Sequence, residues 1–89
     1  VKNIVWDVEK DAKLRIERHI CFKEVIEALF GDGFLNVEKN PSGKRSDQMI
    51  YIVRIKDYAY LVPYVEDNEK VFLKTVIPSR KATKKYISN

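Results

Sequence analysis

Apolar residues recur with two different periods along this chain, and the change between them falls at one place. Phe22, Val25, Ile26, Leu29 and Phe30 stand at i, i+3, i+4, i+7 and i+8, the spacing of one helix face. From Phe34 onward the apolar runs are rich in Val, Ile, Tyr and Phe and are bounded by turn residues, as strands are. "GDG" at residues 31–33 separates the two regimes. Gly31 suits the left-handed position that closes a helix. The pattern predicts a helix over residues 21–30, then strands and turns up to Ile77.

Upstream, "NIVWD" (residues 3–7) is short and apolar, either a short strand or an extended lead-in. Asp7 is a good N-cap and opens a helix over residues 8–18. Ala12, Leu14 and Ile16 give that helix only a weak stripe among charged neighbours, so it is largely wet. His19 and Ile20 form a break, and histidine tolerates the left-handed conformation better than most residues. Downstream, "FLNVEK", "QMIYIVRI", "YAYLVPYV" and "KVFLKTVI" read as strands. They are joined by "NPSGK", by a tight turn at Lys56 and Asp57, and by "EDNE".

Four consecutive strands with short connections make an antiparallel meander. Pro63 removes a ladder donor and marks an edge position or a bulge. Pro78 stops the last strand, and Ser79 caps a short final helix over residues 80–87. The expected fold is α+β: two N-terminal helices packed on an antiparallel meander of about four strands, with a short C-terminal helix. It forms one domain over residues 1–89.

The two central strands are apolar on both alternating faces. Ile50 and Ile52 oppose Val53 and Ile55; Tyr58, Tyr60, Val62 and Tyr64 oppose Ala59, Leu61 and Val65. Such strands are covered on both sides. Two helices cover one face and the last helix covers part of the other, so the sequence implies that a further chain covers the remainder.

Charge changes the picture at the C-terminus. The net charge of the 89 residues is +4, but residues 1–69 carry 11 Lys and Arg against 13 Asp and Glu, whereas residues 70–89 carry 6 and no acid. That asymmetry fits a polyanion or an acidic protein surface, and equally a solvated helix face. The lone Cys21 excludes an intramolecular disulfide and fits a reducing cytoplasm. It has no partner at metal-ligand spacing, so no metal or other cofactor is expected. No apolar run approaches membrane-spanning length. A glycine-rich phosphate loop and a Ser/His/Asp pattern are both absent.

A chain that opens with "WD" and a charged helix, breaks at "ERHICF" and ends in "FLKTVIPSRKATKKY" resembles the BrnT-like toxins of the RelE/ParE superfamily of bacterial toxin–antitoxin systems. The likeness spans nearly the whole chain, and "SRKATKK" is its most specific piece. It implies a RelE-like fold and a metal-independent endoribonuclease that inhibits translation. It also implies a cognate antitoxin, typically a ribbon–helix–helix DNA-binding protein, and assembly as a dimer or as a heterotetramer with that antitoxin. Where the family commonly has Lys-His-Gly or Arg-Gly, this chain has Arg18-His19, so the family's histidine, where present, falls on Arg18 and His19 takes the place of the glycine.

An RNase without metal needs a base for the 2′-hydroxyl, cations for the pentacovalent phosphate and an acid for the leaving oxygen. Arg80 is the first candidate cation. It follows the last strand, no acid lies within ten residues of it, and a guanidinium matches phosphate oxygens. The bland alternative is pairing with a distant carboxylate. Lys74, expected mid-strand beside Phe72 and Val76, is either an edge guard or a second catalytic cation. Arg54 is either an active-site cation or the ion-pair partner of an acid such as Glu38. Lys81, Lys84 and Lys85 are candidate RNA-backbone contacts. Tyr60, between Tyr58 and Tyr64, is a candidate for base stacking, against the reading that all three are core. Trp6 is a packing anchor. The competing function is a non-catalytic module that binds nucleic acid or an acidic protein through the same basic C-terminus.

Overall fold

In the computed structural model, residues 2–39 and 48–87 are described. The chain runs β1 (Asn3–Trp6), α1 (Val8–Arg18), α2 (Phe22–Phe30), β2 (Phe34–Lys39), β3 (Met49–Ile55), β4 (Tyr58–Glu66), β5 (Lys70–Leu73), β6 (Ile77–Pro78) and α3 (Arg80–Tyr86). Among the described residues it is a mixed α/β protein with three helices and a six-stranded sheet. The expected turn at residues 40–44 lies outside the described residues.

Local chemistry sets the helix limits. The Asp7 side chain accepts from the Glu9 N–H at the start of α1. His19 closes α1 with a left-handed backbone, φ 56°. Cys21 stands just before α2 rather than inside it; its N–H donates to Glu24, and the next N–H, of Phe22, donates to Asp11 of α1. Leu14 is the one buried residue of α1, as the weak stripe predicts. Gly31 ends α2 at φ −116°, which is not left-handed, so its expected role is corrected. The glycine the packing requires is Gly33: a Cβ there would lie 2.6 Å from the Arg54 carbonyl oxygen and 2.7 Å from Ala28 Cβ.

The sheet order is β1-β5-β4-β3-β2, with β6 also on β4. Strands β2 to β5 pair antiparallel in chain order. The β3–β4 turn has positive φ at both Lys56 (54°) and Asp57 (65°), the type I′ geometry that suits a two-residue hairpin. Two features differ from the expectation of about four strands. First, residues 3–6 form a true strand, parallel to β5, with Asn3 opposite Lys70 and Trp6 opposite Leu73. Second, the expected last strand is broken. Tyr64 pairs with Leu73 and Leu61 with Ile77, so Val62 and Pro63 of β4 face three residues, 74–76. This is a bulge. Its physical cause is Pro63, which has no N–H to give the neighbouring strand; its carbonyl still accepts from Lys74 N at 2.8 Å.

Both sheet faces carry apolar side chains. On one, Val53, Ile55, Val62, Tyr64, Val71 and Leu73 pack with Leu14, Ile20, Phe22 and Val25. Trp6 stacks on Phe22 with ring centroids 5.7 Å apart. On the other face Ile52, Ala59 and Ala82 form a smaller core with Leu35, Ile50, Leu61, Tyr86 and Ile87 around it. The bulge shifts the side-chain phase, so Leu73 and Val76, three residues apart, are both fully buried in the larger core. Helix α3 covers only part of the second face; Pro63, Val65 and Phe72 stay half-exposed.

Candidate functional site

Helix α3 is fastened across the second sheet face by hydroxyl groups. Ser79 caps it, accepting from Ala82 N at 3.1 Å. Thr83 Oγ1 accepts from Ala59 N at 2.9 Å and donates to the Ser79 carbonyl at 2.8 Å, while Ser79 N donates to the Ala59 carbonyl. At the far end the Tyr86 hydroxyl accepts from Asn36 Nδ2 at 2.8 Å and donates to Glu38 Oε2 at 2.9 Å. The residues turned to the sheet are therefore Ala82, Thr83 and Tyr86.

The four cations of α3 point elsewhere. Arg80, Lys81, Lys84 and Lys85 are all exposed. The helix period splits them into two i,i+4 pairs. Lys81 and Lys85 line a cleft of about 280 Å³ with Glu38, Ile50, Ile52, Leu61, Ser79, Ala82 and Tyr86. Arg80 and Lys84 flank the opposite side, that of Thr83. Thr83 bonds Ala59, and Ala59 is the ladder partner of Arg54, so exposed Arg54 belongs to this second flank. Ion pairs among the described residues are Lys2–Glu66, Arg15–Asp11 and Lys56–Glu24. None involves Arg54, Lys74, Arg80, Lys81, Lys84 or Lys85. Lys85 lies over the Tyr86 ring, 5.3 Å from its centroid.

Three sequence expectations change here. Glu38 is bound to Tyr86 and not to Arg54, because its ladder partner is Ile50, four residues from Arg54 and about 13 Å along the strand. Lys74 lies outside both β5 and β6, exposed in the bulge, and the bulge separates its direction from that of Val76. Opposite it is Pro63, whereas Ser79, just before Arg80, is opposite Ala59, four residues or about 13 Å further along β4. Tyr60 packs in the larger core, edge-on to Tyr58 at 5.8 Å; the sheet separates it from the α3 cleft. The site thus brings together Arg54, Arg80 and Lys84 on one flank and Lys81 and Lys85 on the other, and leaves Lys74 and Tyr60 apart from both.

Sequence reasoning missed Tyr86 and Asn36. The signal was the spacing of Ser79, Ala82, Thr83 and Tyr86, a hydroxyl and small-residue stripe at i, i+3, i+4 and i+7. Tyr64 is the phenol most altered by the fold. Burial pushes its pKa up, Tyr51, stacked on it at 3.9 Å, adds to the shift, and so does Glu66. That direction disfavours phenolate, and Tyr64 lies in the core, so it is no candidate base. Among the described residues no group of His, Cys, Asp and Glu is arranged to hold a metal ion, and no helix is long and apolar enough to cross a membrane. Comparison with protein-family models, curated proteins and solved structures finds no match to this chain.

Proposed function

We propose that this chain is a BrnT-like toxin of a type II toxin–antitoxin system, a cytoplasmic, metal-independent endoribonuclease that inhibits translation and is neutralised by a cognate antitoxin. The observation that carries the reading is the set of exposed cations around α3, none of them ion-paired with a described residue. Arg54, Arg80 and Lys84, all exposed on one flank, offer two guanidinium forks and an ammonium to RNA phosphates. Such groups stabilise charge that develops on a phosphate during transfer. The resemblance in "SRKATKK" falls on Ser79 and the basic helix α3, which follows strands β2 to β5, paired antiparallel in chain order.

An antitoxin has surface to cover. Pro63, Val65 and Phe72 remain half-exposed beyond α3, and Phe30 and Phe34 are exposed at the end of α2 and the start of β2. A ribbon–helix–helix partner supplying an apolar, acidic segment fits this distribution.

The test is inducible expression with and without the neighbouring gene, followed by growth and RNA integrity. Growth arrest with RNA cleavage, relieved by the neighbour, is the expected result. The second reading is a binding module that uses the same exposed lysines without cleavage. Intact RNA and normal growth, together with salt-dependent RNA binding by the purified chain, would establish it instead.

A further inference from the structure

The cleft beside α3 has a composition the phosphate flank lacks. Its floor is apolar, built from Ile50, Ile52, Leu61 and Ala82, and its rim holds one carboxylate, Glu38, and two ammonium groups, Lys81 and Lys85. A volume of about 280 Å³ is enough to admit one nucleobase.

The hydrogen bonds around Glu38 fix its chemistry. The Asn36 amide is used twice: Nδ2 donates to the Tyr86 oxygen, and Oδ1 accepts from the Val37 N–H at 2.8 Å. Because the Tyr86 oxygen already accepts from Asn36, its proton is directed to Glu38 Oε2 at 2.9 Å. Glu38 is thereby held in one orientation, with Oε2 an acceptor. Among the described residues Oε1 has no partner, and neither lysine forms an ion pair with it. A carboxylate accepts and cannot donate, so it selects a ligand edge that presents donors.

Among the four RNA bases, guanine alone presents two adjacent donors, N1–H and the N2 amine, on its Watson–Crick edge. Adenine and cytosine place an amine next to a ring acceptor, and uracil places one N–H between two carbonyls. We infer that this cleft is the binding site of a guanylate residue of single-stranded RNA, with the guanine edge on Glu38, its ring on the Ile50–Ile52–Leu61 floor, and its phosphate on Lys81 and Lys85. Unstacked bases are recognised in this way, by stacking or apolar contact together with hydrogen bonds to the base edge. The inference rests on the RNA reading above and gives it a sequence preference: RNA is held with a guanine on one side of α3 and a phosphate against Arg54, Arg80 and Lys84 on the other.

The experiment uses 2′-O-methyl heptamers, which cannot be cleaved through the 2′-oxygen, with a central G, A, C or U in an otherwise all-A strand, titrated by fluorescence anisotropy. The G heptamer is expected to bind about tenfold tighter than the other three, the scale of a good bidentate base contact. Glu38→Gln should bring the four within about twofold of one another. Tyr86→Phe, which frees Glu38 without removing it, should weaken the preference in part. Lys81→Ala with Lys85→Ala should weaken all four equally and flatten the salt dependence. Equal affinities for wild type, or a G preference that survives in folded Glu38→Gln, overturns the site. Free GMP competing as strongly as the G heptamer assigns the cleft to a free nucleotide and overturns the RNA assignment. Failure of this site and failure of the toxin reading are distinguishable. RNA cleavage without G preference sinks only the cleft; G-selective binding without cleavage sinks only the nuclease.

Discussion

The guanidinium of Arg18 donates to the carbonyl oxygen of Val76 at 2.6 Å. This bond ties the last turn of α1 to the bulge between β5 and β6, 58 residues away in sequence. The bulge exists because Pro63 gives the sheet no N–H, so carbonyls in residues 74–76 lack a regular ladder. Arg18 supplies a charged donor to one of them. Arg18→Ala should destabilise the fold by about 1.5–3 kcal/mol, the range for hydrogen bonds to charged groups, whereas Arg18→Lys should recover part of the loss. Chemical denaturation of the three proteins decides this. Equal midpoints would make the bond incidental.

Arg80→Ala should abolish toxicity with the fold unchanged. Ser79, not Arg80, caps α3, and the arginine side chain is exposed with no ion pair to lose among the described residues. Removing one preorganised donor to a developing charge lowers a rate on the order of 100-fold. Arg54→Ala should act in the same direction, being on the same flank. Lys74→Ala should act less, since Lys74 sits opposite Pro63, about 13 Å along β4 from the Ala59 position that holds Ser79 beside Arg80. RNA cleavage rates, compared alongside melting temperatures, test the order. If Lys74→Ala is the most damaging of the three, the flank is wrongly assigned.

Gly33→Ala should be costly although both residues are small. The new methyl would meet the Arg54 carbonyl oxygen at 2.6 Å and Ala28 Cβ at 2.7 Å. Neither can withdraw, since one is backbone and the other is held in α2. Overpacking of this kind costs about 1–3 kcal/mol. Urea unfolding gives the number, and a midpoint equal to wild type would mean that α2 shifts without penalty.

The fold was legible where one residue type has one physical use. Asp7, His19 and Ser79 set helix ends as their side chains or backbone preferences require. Lys56 and Asp57 make the turn expected of them. What was not legible depends on partners distant in sequence. Nothing local to "NIVWD" says that it will lie parallel to β5. Pro63 signals a bulge, but not that the bulge will fall at residues 74–76 and turn Lys74 away from Val76. In the site, the exposure of the α3 cations follows from their spacing, whereas the Asn36–Tyr86–Glu38 chain needs β2 and α3 brought together across the sheet.

Asp67 predicts a pH dependence. Its carboxylate accepts the N–H of Glu69 at 2.8 Å and of Lys70 at 2.9 Å, closing the β4–β5 turn. These two bonds, that to Glu69 first, hold its pKa below the ordinary 3.8. A folded value below the unfolded one means that the carboxylate stabilises the native state above pH 3.8, and that this contribution is lost as pH falls through the folded value. Asp67→Ala should therefore lower Tm at neutral pH, and the difference from wild type should close in acid. A gap that stays constant to about pH 2 would show that the turn does not depend on the charge.

Strand β1 has β5 as its ladder partner, and the two come from opposite ends of the chain. By contrast β3 and β4 are joined by a two-residue turn. Loop closure makes distant pairings slow to form relative to local ones. Folding should begin with the β3–β4 hairpin and finish with β1. Val62→Ala should then slow folding, and Val5→Ala should mainly speed unfolding; stopped-flow kinetics showing the reverse would place β1 in the nucleus. During synthesis the consequence is a delay: β1 leaves the ribosome well before its partner and waits, unpaired, until Leu73 has followed it.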